Sequence, residues 1–199
     1  MTIPKSRLDA LTDGVFAVAM TLLVIDLRLP ESFHAADSGA LLDHIMDLGN
    51  QFLVYVVSFY VVCLRWMGMV QLAPRGEEVS DTYTKWAMVH LLLITLVPFT
   101  TMLIGRYPTM PPAVWLYAAN TIAFALVALR MVTLAEHHPS EERKIEDRIG
   151  LSMLILSGVA AILISFVEPK WALLGFIVNT LDEPLRWLLR RRTGNSLAK

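Results

Sequence analysis

A single cysteine, Cys63, stands in 199 residues, so the chain can form no internal disulfide and no cysteine-based metal framework. It lies in an apolar run, where it reads as a buried, inert thiol rather than a nucleophile. Charge is scarce too: 18% of residues are charged against 55% hydrophobic, and the net charge is −1. That balance leaves no basic footprint for nucleic acid and no polybasic surface for anionic lipid. The sequence has no glycine-rich phosphate loop, no H-E-x-x-H and no Cys/His cluster. Without such convergent groups the expectation is no enzyme activity, no metal site and no cofactor. His137-His138, set among Glu and Arg, reads as a solvated pair.

What the chain has instead is long apolar runs. Hydropathy gives six spans, about 8–29, 47–69, 84–105, 112–134, 149–167 and 170–188, the last interrupted by Asp182, Glu183 and Pro184. The connections are short apart from 30–46 and 135–148. The expectation is therefore an all-α polytopic membrane protein, one transmembrane domain over residues 1–199. The first run is too long for a signal-peptide core and is read as retained. With the N-terminus on the cytoplasmic side, 14 of the 17 Lys and Arg residues fall inside, leaving only Arg28, Arg106 and Lys170 outside. That asymmetry places both termini in the cytoplasm of a cell-membrane protein and favours an even number of spans.

Individual spans carry further signals. Alanines 118, 119, 123, 125 and 128 in the fourth allow close helix approach in lipid. Pro98 in the third removes one backbone donor and predicts a bend, leaving the Ile94 carbonyl to other partners. Trp66, Trp86, Trp115, Trp171 and Trp187 all fall near predicted span ends, as an interfacial belt would. The stretch 31–47 holds Glu31, Asp37, Asp43 and Asp47 with no Lys or Arg, and reads as a solvated acidic loop on the outer side. Its charge would also enrich cations near a mouth.

The first span organises the rest. Arg7, Asp9 and Asp13 stand at one end and Asp26 and Arg28 at the other, while Val15 to Ile25 is uncharged with one hydroxyl, Thr21. Val18, Leu22 and Ile25 recur at helical spacing and share one face, with Thr21 beside it. The plain reading of that stripe is packing against neighbouring helices. The functional reading is a ring of apolar side chains, which needs several copies of the chain around one axis. Such a ring gates by dewetting. Arg7 and Asp13 are six residues apart, hence on different faces with different partners. Asp26 either forms an acidic ring at the outer mouth or pairs with Arg28.

Arg7, Asp13, Gly14, Val15, Phe16, Ala17, Thr21, Leu22, Leu23 and Pro30 resemble the first-helix signature R-x-x-x-F-S-D-G of TMEM175 potassium channels. Here the core reads R-L-D-A-L-T-D-G, with Leu11 for the Phe and Thr12 for the Ser. Val97-Pro98-Phe99-Thr100 resembles a second family piece, P-F-x-T. The resemblance implies a six-helix subunit of the prokaryotic type, a homotetramer, and a pore lined by the first helix of each copy. It implies a constriction at Val18, further apolar pore positions at Leu22 and Ile25, and a selectivity role for Thr21. Val18 is smaller than the Ile or Leu usual there, which widens the constriction. Arg7, Asp13 and Trp66 match a polar network behind the pore helix; the histidines that usually follow the tryptophan are replaced around Met69 and Val70. His90 then offers itself as the partner of Asp13, where protonation near neutral pH would tune opening; a packing histidine is the alternative.

Since the sequence has no T-V-G-Y-G filter, potassium selection would not use a carbonyl cage. The reading is a passive potassium-selective channel whose partners are its own copies, membrane lipid and monovalent cations, with no nucleic acid. Its rivals are a weakly selective cation or proton channel and a non-conducting membrane scaffold. A solute transporter would show internal repeats and broken helices around a midplane site, and neither is evident.

Overall fold

A computed structural model describes residues 3–29, 34–72, 76–135, 141–169, 171–172 and 175–176; for 71–72, 141–144 and 146–147 it describes backbone only. His137-His138, Arg186 to Arg192 and nearly all of the predicted sixth span lie outside the described residues. The described elements are helical apart from two short strands. Strand β1 (Ile3–Pro4) leads directly into α1 (Lys5–Leu22), which tightens into a 3-10 turn at Leu23–Asp26. Helices α2 (Ser38–Asp47) and α3 (Gly49–Leu72) follow, then β2 (Glu78–Val79). Next come α4 (Asp81–Thr95), α5 (Val97–Arg106), α6 (Pro111–Leu134) and α7 (Glu141–Val167).

Local chemistry sets these boundaries. Asp37 caps α2 by accepting the Ala40 N–H at 2.8 Å, and Ser80 caps α4 by accepting the Tyr83 N–H at 3.2 Å. Pro111 and Pro112 open α6, where their missing donors cost nothing. Among the described residues five helical stretches are long and apolar enough to cross a membrane: Lys5–Asp26, Gly49–Val70, Asp81–Arg106, Pro111–Leu134 and Arg148–Val167. At 1.5 Å per residue the 22 residues of the first reach about 33 Å, matching a hydrocarbon core of roughly 30 Å.

One sequence expectation is refined here and one corrected. The third span, Asp81–Arg106, consists of α4 and α5 joined at Leu96, whose backbone stays right-handed helical at φ −81° and ψ −14°, so the disturbance expected of Pro98 falls two residues before it. The Leu93 carbonyl accepts the Leu96 N–H at 3.3 Å, and Asn120 Nδ2 of α6 adds a second hydrogen bond to it at 3.2 Å, a side-chain contact of the kind that supports a disturbed helix ladder inside a membrane. The acidic stretch 31–47 is not all loop: 38–47 forms α2, none of whose residues is buried. Leu41, Leu42, Ile45 and Met46 are exposed along one side of it, and Asp43 and Asp47 fall on the other.

The helices pack in a sequence of layers. Helix α1 lies against α3, α4 and α5; α4 and α5 lie against α6; α6 makes its most extensive contact with α7. Ala118, Ala125 and Ala128 are buried, and close α6–α7 approach depends on Gly158, where an added Cβ would sit 2.7 Å from Ile122 Cγ1. Gly158→Ala is therefore expected to lower the thermal midpoint of the detergent-solubilised protein by the equivalent of about 1 kcal/mol or more. Ile122→Ala in the same chain should recover part of the loss, a coupling that a double-mutant cycle measures. Ser58 of α3 and Tyr117 of α6 share a buried hydrogen bond of 3.1 Å, tying α3 to α6. Helix α1 stays at the edge of this stack, with one face in and one face out.

Candidate functional site

The buried face of α1 follows a helical i, i+4, i+7, i+11 spacing through Thr12, Phe16, Ala19 and Leu23. Phe16, Ala19 and Leu23 pack into a core cluster with Val62 of α3, Leu91 and Ile94 of α4 and Val97 of α5. The opposite face is open. Val18 is 56% exposed, Leu22 42% and Ile25 58%, and Thr21 stands exposed between them. The Thr21 hydroxyl donates to the Ala17 carbonyl at 3.0 Å and the Val18 carbonyl at 2.9 Å. Its one proton is thus held by the helix backbone and its oxygen lone pairs are left for an outside donor or cation. Gly14 continues this face toward the N-terminus, with nothing within 4 Å of where a Cβ would stand.

The polar residues at the N-terminal end of α1 divide as their spacing predicts. Asp13 accepts from Trp66 Nε1 of α3 at 2.8 Å, while Arg7 is exposed on another side of the helix. Lys5 pairs with Asp9 one turn on. The structure brings Asp13 and Trp66 together but not Asp13 and His90. His90 is completely buried in α4, 6.2 Å from the Phe16 ring and 6.0 Å from that of Phe124. Neither of its ring nitrogens has a hydrogen-bond partner among the described residues. The tryptophan, not the histidine, therefore holds the Asp13 carboxylate.

A feature with no clear signal in the sequence closes this end. Strand β1 pairs antiparallel with β2, Ile3 opposite Val79 and Pro4 opposite Glu78, and the Lys5 N–H donates to the Glu77 carbonyl at 2.8 Å. Beneath the strands lies a cavity of about 150 Å³ lined by Lys5, Asp9, Thr12, Asp13, Met69 and Tyr83 together with Leu8, Val70 and Val79. Two-residue strands are too short to leave a periodic pattern, so the sequence carried no expectation of this pairing. At the other end Asp26 is half-buried and shares a small cavity with Gln51, Thr101 and Arg106.

The chain resembles known proteins over much of its length. The family model described as endosomal/lysosomal potassium channel TMEM175 matches residues 7–98. A potassium channel of Chryseobacterium sp. (strain P1-3) is 30% identical over 146 residues, covering 73% of this chain and 72% of that protein. A potassium channel of Chamaesiphon minutus is 29% identical over 128 residues, 63% of either chain; the match thus spans less than two thirds of that relative. The endosomal/lysosomal proton channel TMEM175 of Gallus gallus is 22% identical over 186 residues, 86% of this chain and 37% of that protein. In fold the chain is similar to the crystal structure of a lysosomal potassium-selective channel TMEM175 homolog from Chamaesiphon minutus. The TM-score is 0.76 at 24% identity, over 92% of this chain and 97% of that one.

Proposed function

Because the chain belongs to the TMEM175 family of ion channels, we propose that it is a potassium-selective channel, a homotetramer conducting passively through a pore lined by α1 of each copy. The observation that carries this reading is the exposed face Val18, Thr21, Leu22 and Ile25 on a helix whose other face is fully engaged. Four copies around an axis turn each apolar position into a ring. The Val18 ring is the narrow constriction, and Leu22 and Ile25 extend the dry stretch toward Asp26 at the outer mouth. Dewetting of such rings blocks ions when the helices close in and releases them when the rings widen. Thr21 is the one polar group in the stretch. With its proton donated to the helix backbone, its oxygen faces a passing cation as an acceptor, and four together replace part of a hydration shell.

The Asp13–Trp66 hydrogen bond holds α1 to α3 on the side away from the pore, and with buried Thr12 it fixes the rotation of the pore helix, while Arg7 and Gly14 complete the signature on its exposed sides. His90 supports the same helix through apolar contact with Phe16. The residues 1–199 act as one channel domain in the cell membrane, surrounded by lipid, both termini cytoplasmic by the distribution of Lys and Arg. Permeation needs no cofactor.

The experiment is ion flux in proteoliposomes under separate potassium, sodium and proton gradients. Potassium flux several-fold above sodium is the expected result. Equal fluxes would remove the selectivity while keeping the pore, and proton flux without potassium would transfer the chain to the proton-channel reading. No flux from correctly inserted oligomers would leave a scaffold.

A further inference from the structure

His90 is the one ionisable side chain placed wholly inside the helix stack with both of its polar atoms unmatched among the described residues. A neutral imidazole carries one N–H donor and one lone-pair acceptor. The Phe124 carbonyl of α6 faces the ring without closing a hydrogen bond. Buried polar atoms without protein partners are ordinarily satisfied by ordered water. Beside the ring is a cavity of about 20 Å³, larger than the roughly 10–15 Å³ that one water needs.

The rest of that cavity decides what fills it. Arg65 of α3 and Tyr83 of α4 line it together with His90, and the remaining wall is apolar, from Met69, Met131 and Leu151 among others. An apolar void would stay dry, but a buried water needs two to four polar partners, and Arg65 and His90 bring that minimum to the cavity. Arg65 has five N–H donors, so it can give one here and keep its other contacts. The imidazole lone pair has no other donor among the described residues. Met69 and Tyr83 also line the larger cavity beneath the strand pair, so the two cavities share a wall.

We propose that the cavity between α3, α4, α6 and α7 is a binding site for one buried water molecule, which accepts from Arg65 and donates to the free ring nitrogen of His90. The site makes His90 a neutral, water-bridged group joining α4 to α3 behind Phe16, and it stands apart from the Asp13–Trp66 contact. It does not depend on which ion the chain conducts.

Two measurements on the full-length protein in lipid test it. Water-edited solid-state NMR on protein carrying 15N-histidine should show His90 with one protonated and one bare nitrogen, and rapid magnetisation transfer from water to the ring. His90→Gln identifies that signal among the five histidines. A structure at a resolution that shows waters should place one oxygen about 2.7–3.2 Å from a His90 nitrogen and from the Arg65 guanidinium. His90→Leu should remove that density, and if the variant does not fold the native measurements still decide. A doubly protonated ring, a direct Arg65–His90 contact, or a ring without water transfer beside empty density would each overturn the assignment.

Discussion

Val18→Asn is expected to raise potassium flux through the reconstituted protein by about tenfold or more and to bring the potassium-to-sodium ratio toward one. Tenfold corresponds to about 1.4 kcal/mol off the barrier. In the proposed tetramer the substitution acts four times at one level, exchanging four apolar side chains for amides whose carbonyl oxygens hold water and contact a cation. The dry barrier at that ring would fall, and with it the size discrimination that an apolar ring supplies. Val18 is 56% exposed in the isolated chain, so the subunit's own packing should barely register the change, within about ±0.5 kcal/mol. Flux per inserted protein, measured under potassium and then sodium gradients alongside the size of the solubilised oligomer, checks both halves. Unaltered flux from an intact oligomer would put the pore somewhere other than this face. Lost assembly without current would make the stripe an interface.

That prediction depends on which way α1 faces, and the facing came from the family resemblance rather than from periodicity, which leaves it open. The spacing of Val18, Leu22 and Ile25 marks a stripe, but Thr12, Phe16, Ala19 and Leu23 make an equally good one on the opposite side. In a soluble protein the polar side would betray the outward face. In a membrane, lipid is as apolar as a protein core, so an all-apolar helix carries no such label. Five spans were legible for the complementary reason, since length and hydropathy answer to bilayer thickness alone. The Asp13–Trp66 bond shows a different limit. A carboxylate in a membrane helix demands a partner, yet spacing within one helix cannot name a residue 53 positions away; the resemblance grouped Trp66 with Arg7 and Asp13 and left His90 open between partner and packing residue. The Pro98 region gives a third case. Proline announced a disturbance, but that Asn120 of α6 would reach the Leu93 carbonyl beside it is a tertiary contact that spacing does not show. Helix α2 is the one element whose signal was present and passed over: Asp37 as a cap, followed by apolar residues at 41, 42, 45 and 46.

Phe16→Ala, two residues from Val18, should have the opposite signature. Phe16 is fully buried, in a cluster with Ala19, Leu23, Val62, Leu91, Ile94 and Val97, and its ring faces His90 at 6.2 Å. Truncating a buried phenylalanine costs about 3–5 kcal/mol in soluble cores. In a membrane the transfer part of that cost shrinks because the alternative environment is also apolar, while the lost dispersion contacts remain. The expectation is therefore the low end, about 3 kcal/mol, seen as a lowered thermal midpoint and a smaller yield of assembled oligomer in detergent. Channels that do assemble should keep their potassium-to-sodium ratio, because no pore-facing atom has changed. Phe16→Leu, which fills most of the space, should recover much of the stability. Comparing Phe16→Ala with Val18→Asn then reads out the rotation of α1 directly: one substitution moves stability and spares selectivity, the other does the reverse. A Phe16→Ala channel of normal stability but altered selectivity would mean that α1 turns its other face to the pore.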